Sequence, residues 1–424
     1  MELTKLSSLF FAAVILAMTI FEKRRLNTII TPFSVSAWPL VFIILVVNFM
    51  LVKIEFDIVT PRAILFLLAN LFIIWLIGII FSYIHNNYRI QSLNDIFLPY
   101  VKFEKILIVL SWVVNIVVFL KMKNLLAKYG GLSFLGDYRF EEMINSGPEA
   151  HISQFGKVTF LLLSFIYPMA NHKKTILITL FGSIVMLFML QSKYNLIGVL
   201  VIVFIYYNFT KPVKKQIGSI LKFSLLTLMI MALSLITLTI FWGTFKVSKQ
   251  SVWLFLSKNL LSYFFSSPIV LDKWLDHAFV QPDWTLLLLF KNIINRIVGN
   301  PLVYSSLDYV DLNFSEVAKD VYSNVGTSYG TYFIIGGWIF SLFMSTVISS
   351  LTYFVYYSAK KKPNPVNVFL CMTLLNIALF SFFGQYFTFL PYYEMIIFYI
   401  VTIKVMDTYN LFISDYQNSL PLRK

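Results

Sequence analysis

An all-α protein threading a lipid bilayer about eleven times (ten to twelve), as one membrane domain over 1–424, is the fold class this sequence predicts. Three observations predict it. Hydrophobic residues make up 58% of the chain and charged residues only 13%, against roughly a quarter charged in soluble domains. The mean hydropathy is +0.78. Apolar runs long enough to cross about 30 Å of hydrocarbon, at roughly 1.5 Å per helical residue, recur along the chain. They fall near 6–21, 36–53, 63–84, 105–121, 157–171, 175–191, 195–209, 217–242, 332–357, 366–384 and 390–406. The first, fifth and seventh are short enough to be tilted or re-entrant. The first has the length of a signal-peptide core, but the Glu22-Lys23-Arg24-Arg25 that follows resembles a stop-transfer flank, so it reads as a retained helix.

Lysine and arginine orient these segments, because cytoplasmic connections retain them. Alternate connections carry Lys23-Arg24-Arg25, Arg89 with Lys102, Lys173-Lys174, Lys211 with Lys214 and Lys215, Lys360-Lys361-Lys362, and the tail with Arg423 and Lys424. That set is assigned to the cytoplasm. The other set faces outward: 54–62, a first large loop at 122–156, the turn at 191–195, a second large loop at 243–331 between the eighth and ninth segments, and 384–391. The second large loop has about seven basic and seven acidic residues and so no orienting bias of its own. Two stretches in it, "SVWLFLSKNLLSYFF" and "WTLLLLFKNIINRIVG", mix apolar positions with spaced charges and predict amphipathic helices at the interface.

The net charge of +14 does not indicate a nucleic-acid partner, since the basic residues sit in short clusters between apolar runs. The one cysteine, Cys371, excludes an internal disulfide and a cysteine metal site. Neither a metal nor another cofactor is implied; Asp308 with Asp311 is too sparse a pair to hold an ion. Ionisable residues inside membrane helices mark coupled carriers, and the predicted spans hold almost none: Glu394 is placed near an outward end, and Lys222 and Lys404 near inward ends. A coupled carrier is therefore disfavoured, although a flippase with a wet cavity fits.

The polar residues gather on the outward side. Arg139, Lys193 and Arg296 are the candidate catalytic cations, because paired guanidinium donors match phosphate oxygens and act strongly near lipid. Each also has a structural reading: Arg139 pairing with Glu141 or Glu142, Lys193 reaching lipid phosphates, Arg296 capping a helix ahead of Gly299. His277 and His151 are the outward histidines, either able to act as a base, though most loop histidines are inert. Gly326, Gly330, Gly336 and Gly337 open the ninth segment, where they either pack tightly or let backbone amides approach a ligand.

The stretch "NVGTSYGTYFIIGGWIFS", Asn324 to Ser341, at the head of a span after the largest outward loop, resembles the corresponding part of Wzy-type O-antigen polymerases. The span count, the long loop before the last three spans, and the outward Arg139, Lys193 and Arg296 resemble that family too. Lysine stands at 193 where arginine is common. Ser323-Asn324 stand where the related ligases carry a histidine, which favours polymerase over ligase. The resemblance implies a GT-C-like glycosyltransferase of the bacterial inner membrane with its site facing the periplasm. It would move a growing glycan from undecaprenyl diphosphate to the non-reducing end of a new lipid-linked repeat unit. Asn324, Tyr329 and His277 are then expected near the glycan. A chain-length regulator and a flippase are the partners the family implies, and neither nucleotide nor metal is obligatory.

Overall fold

Prolines and small hydroxyl residues start these helices. Proline occupies the first helical position at Pro32, Pro61, Pro148 and Pro365, where its missing N–H leaves no bond unmade. Ahead of Pro32, the Thr31 hydroxyl accepts from the Ser34 amide at 3.1 Å and the Ser34 hydroxyl accepts from the Thr31 amide at 3.3 Å. This reciprocal cap satisfies two donors that a helix start would otherwise leave bare. Asn364 and Thr327 cap two later helices one way, accepting from the amides of Asn367 and Gly330.

The computed structural model describes residues 2–85, 93–129, 131, 138–190, 193–241, 258, 261–276, 294–295, 298–299, 315–319, 321–384, 386–387 and 389–419. The helices are α1 (Glu2–Leu26), α2 (Pro32–Phe49), α3 (Pro61–Ile84), α4 (Glu104–Tyr129), α5 (Tyr138–Ile144), α6 (Pro148–Ile166), α7 (Lys173–Met189), α8 (Lys193–Asn208), α9 (Val213–Phe241), α10 (Ser267–Trp274), α11 (Ser328–Lys361), α12 (Pro365–Leu379) and α13 (Leu390–Ser419). A short hairpin, β1 (Ser315–Ala318) and β2 (Val321–Ser323), precedes α11. Among the described residues eight helices are long and apolar enough to cross a membrane: α1, α2, α3, α4 with its lead-in from Asn94, α6, α11, α12 and α13. The apolar helices α7, α8 and α9 coincide with the other three predicted segments. The first segment is longer than its apolar core, since α1 runs 25 residues through both flanks.

Burial runs opposite to the pattern of a soluble helix. On α4 the exposed positions Ile106, Val109, Val113, Ile116 and Leu120 form one apolar stripe at helical spacing, whereas Ser111 and Asn115 are buried. Lipid accepts the stripe, and the hydroxyl and amide groups join helices instead. Ser111 meets Thr159 of α6 at 2.9 Å, and the Asn115 amide donates to Ser183 of α7 at 3.3 Å. Ser341 and Ser345 of α11 donate to the Asn70 carbonyl oxygen of α3 at 3.0 and 2.7 Å, beside an edge-to-face Phe66–Trp338 pair. The core runs through α8, whose Ile197, Ile202, Ile205 and Tyr206 are buried against α6, α9 and α12.

The two sets of connections that lysine and arginine separate in the sequence lie at opposite ends of the bundle. At the basic end, Thr31 and Tyr353 donate to the buried carboxylate of Glu22 at 2.6 and 2.7 Å. There too Gln216 joins the backbone of Ile29 to that of Asn208, His172 meets Glu104 at 2.5 Å, and Tyr100 donates to Asp407 at 2.6 Å. At the other end, the 54–62 connection pairs with the hairpin through Asp57 N–H to Val317 O at 2.9 Å. Asn145 reaches Leu190 O at 3.1 Å, and Ser328 donates to Gly384 O at 2.5 Å. Thus the described connections joined by these contacts keep to the side each was assigned, while Arg89, Arg423 and Lys424 lie outside the described residues.

Candidate functional site

The glycines that open the ninth segment divide into two roles. Gly326 and Gly330 lie against the Trp274 ring of α10, and a Cβ on Gly326 would overlap that ring. They serve close packing. Gly336 and Gly337 interrupt α11: Gly337 has φ 74° and ψ −167°, a conformation essentially reserved for glycine. The interruption leaves a half-helix, Ser328 to Ile335, nearly all buried, followed by the long remainder. Broken helices at membrane depth persist where protein surrounds them, and here Ser341 donates to Tyr329 O at 3.2 Å across the break.

A clamp of loop residues holds this entrance. Thr60 donates from its amide and hydroxyl to Asp272 at 2.8 and 2.6 Å, Arg62 meets Asp276 at 2.6 Å, and Lys273 meets Asp57 at 2.7 Å. Lys258 at 3.0 Å holds the Glu55 carboxyl below the usual carboxylate range through its hydrogen bond and charge. Burial raises the Asp272 carboxyl, with the two Thr60 hydrogen bonds only partly opposing it. A raised folded value means that protonation favours the folded state: the contribution is full below the ordinary carboxylate range and is lost as pH rises through the folded value. Stability of wild type relative to Asp272→Asn should therefore grow as pH falls from the folded value toward the ordinary one. Unfolding midpoints of the detergent-solubilised pair across that range check this; a constant difference refutes it.

The second cluster lies between α6, α8, α12 and α13. Because α6 begins at Pro148, nine residues before the predicted segment, Lys157 lies about 13 Å along the helix rather than at its start. This adds one buried cation to spans expected to hold almost no ionisable groups. Lys157 is 3% exposed, donates to Gln154 at 2.6 Å and feels the charge of Glu394 on α13. Glu394 in turn meets His151 Nδ1 at 2.8 Å. Lys157, Gly198, Phe389, Tyr392 and Met395 line a pocket. Behind it, Asn376 donates to the Tyr392 hydroxyl at 2.5 Å, while its buried carbonyl oxygen has no donor among the described residues.

The predicted site residues are placed unevenly. Arg139 is exposed in the first turn of α5. Lys193 is the first residue of α8. Their neighbourhoods meet, since Phe140 and Ile144 pack with Leu190 and Leu196 in one apolar cluster. Asn324 is exposed between β2 and α11, and Tyr329 is buried with its hydroxyl 3.4 Å from Ser381. Arg296 and His277, with much of the second large loop, lie outside the described residues. Sequence reasoning missed Lys157 as a buried cation; the signal was Pro148 after Gly147, a helix start that pulls the boundary back.

Fold and site together define a polytopic α-helical membrane protein. The chain matches no family model, no curated protein and no solved structure.

Proposed function

We propose that this chain is a Wzy-type surface-polysaccharide polymerase, an eleven-span, GT-C-like membrane glycosyltransferase whose substrate is a glycan on undecaprenyl diphosphate. The observation that carries the reading is the form of the stretch from Asn324 to Ser341. It folds as a capped half-helix that breaks at Gly336-Gly337, at the bundle end that holds the large loops. We assign that end to the periplasm, since the basic connections lie at the other. The leaving group is already a diphosphate, so cations that stabilise its developing charge would supply much of the catalysis. Arg139, Lys193 and Arg296 are assigned that role, with Asn324, Tyr329 and His277 near the glycan. A chain-length regulator and a flippase remain the partners this reading implies.

A second reading, a lipid-linked oligosaccharide flippase, is favoured by the buried Lys157 and the half-buried Glu394, because charged groups inside a membrane bundle are costly and often line a transport path. Deleting the gene separates the two. Loss of a polymerase leaves cells bearing single capped repeat units, whereas loss of a flippase, or of a ligase, leaves no surface glycan. A normal ladder of chain lengths in the deletion strain would sink the polymerase reading.

A further inference from the structure

We infer that His151 is the base that takes the acceptor hydroxyl's proton, with Glu394 as the residue that positions it; this rests on the polymerase reading. Two conditions must meet in such a base: an orienting partner on one ring nitrogen, and an open approach to the other. His151 meets both. Its Nδ1 lies 2.8 Å from Glu394 Oε1, and its side chain is 57% exposed while that of Glu394 is 18% exposed. A carboxylate only accepts, so in the neutral ring Nδ1 carries the hydrogen and Nε2 keeps its lone pair for a substrate proton.

The surroundings suit this task. His151 stands in the first turns of α6, at the bundle end that holds the large loops, and Glu394 is in the first turns of α13. Among the described residues, His151 and Lys157, both on α6, are the titratable groups shown to act on Glu394. Glu394 thus sits on one ring nitrogen while His151 turns its free edge outward.

The step balances without another reactant. The acceptor hydroxyl gives its proton to His151 Nε2 as its oxygen forms a bond to the anomeric carbon of the donor. The bond from that carbon to the diphosphate oxygen breaks, and its electron pair leaves with the diphosphate. The proton then passes from the imidazolium to water.

The test uses the full-length chain in proteoliposomes, supplied with lipid-linked repeat units extracted from membranes of the deletion strain. His151→Ala should lower kcat by about 100-fold or more with KM nearly unchanged. His151→Asn, which keeps an amide donor for Glu394 but has no titrating nitrogen, should lose as much. Glu394→Gln should lose less and displace the acidic limb of the rate–pH profile, a change that a merely structural contact would not produce. If the wild type makes long chains while either His151 variant stays within about threefold of it, the base assignment is overturned and the polymerase reading stands. If the wild type makes no chains, both fall.

Discussion

Replacing Lys157 by alanine is expected to destabilise the protein by about 1–3 kcal/mol, because it takes the donor from a buried Gln154 oxygen. Lys157 is 3% exposed and donates to Gln154, and its charge and that of Glu394 offset one another among apolar neighbours. Without it, the Gln154 oxygen loses a donor, while Glu394 keeps His151 at 2.8 Å. Lys157→Met combined with Glu394→Gln removes both charges and should recover most of the loss, since the methionine stem fills the vacated volume. Thermal unfolding of wild type, Lys157→Met, Glu394→Gln and the double variant in detergent completes the cycle. A double-variant loss equal to the sum of the two single losses would show that the two charges are uncoupled.

The second large effect is expected at Gly326. A methyl group there meets the Trp274 ring, which is itself buried, so Gly326→Ala should cost about 1–3 kcal/mol through overpacking. Adding Trp274→Leu clears the ring and should restore part of that stability. If Gly326→Ala instead left unfolding unchanged and abolished only glycan transfer, the close approach would be serving a ligand and not the Trp274 ring. The same contact ties α10, in the second large loop, to the entrance of α11. Overpacking there should therefore also loosen the Thr60–Asp272 clamp.

Much of the architecture was legible because its cause is local. The apolar runs set the helix positions, and each of the eleven predicted segments coincides with a described helix. Lysine and arginine sorted the connections into two sets, and contacts such as Asp57 with Val317, and Gln216 with Ile29 and Asn208, keep each set at its own end. The candidate site was less legible. Arg139 and Lys193 were chosen as outward cations, and the neighbourhoods that carry them do pack together through Phe140 and Leu190. Lys157 escaped notice because it was read as the edge of an apolar run, where a lysine normally reaches water.

Composition and periodicity alone determined that this chain is helical and membrane-embedded, because the cost of placing bare backbone in hydrocarbon leaves few other solutions. The pattern of basic residues alone paired the connections. Only the packed bundle decided which polar residues face inward, since a helix apolar around its whole girth does not announce which side meets lipid. Only packing, too, set the Gly326 contact, the break at Gly337, and the approach of His151 to Glu394 from the far end of the chain. These arrangements depend on which helices become neighbours, and no local run of residues encodes that choice.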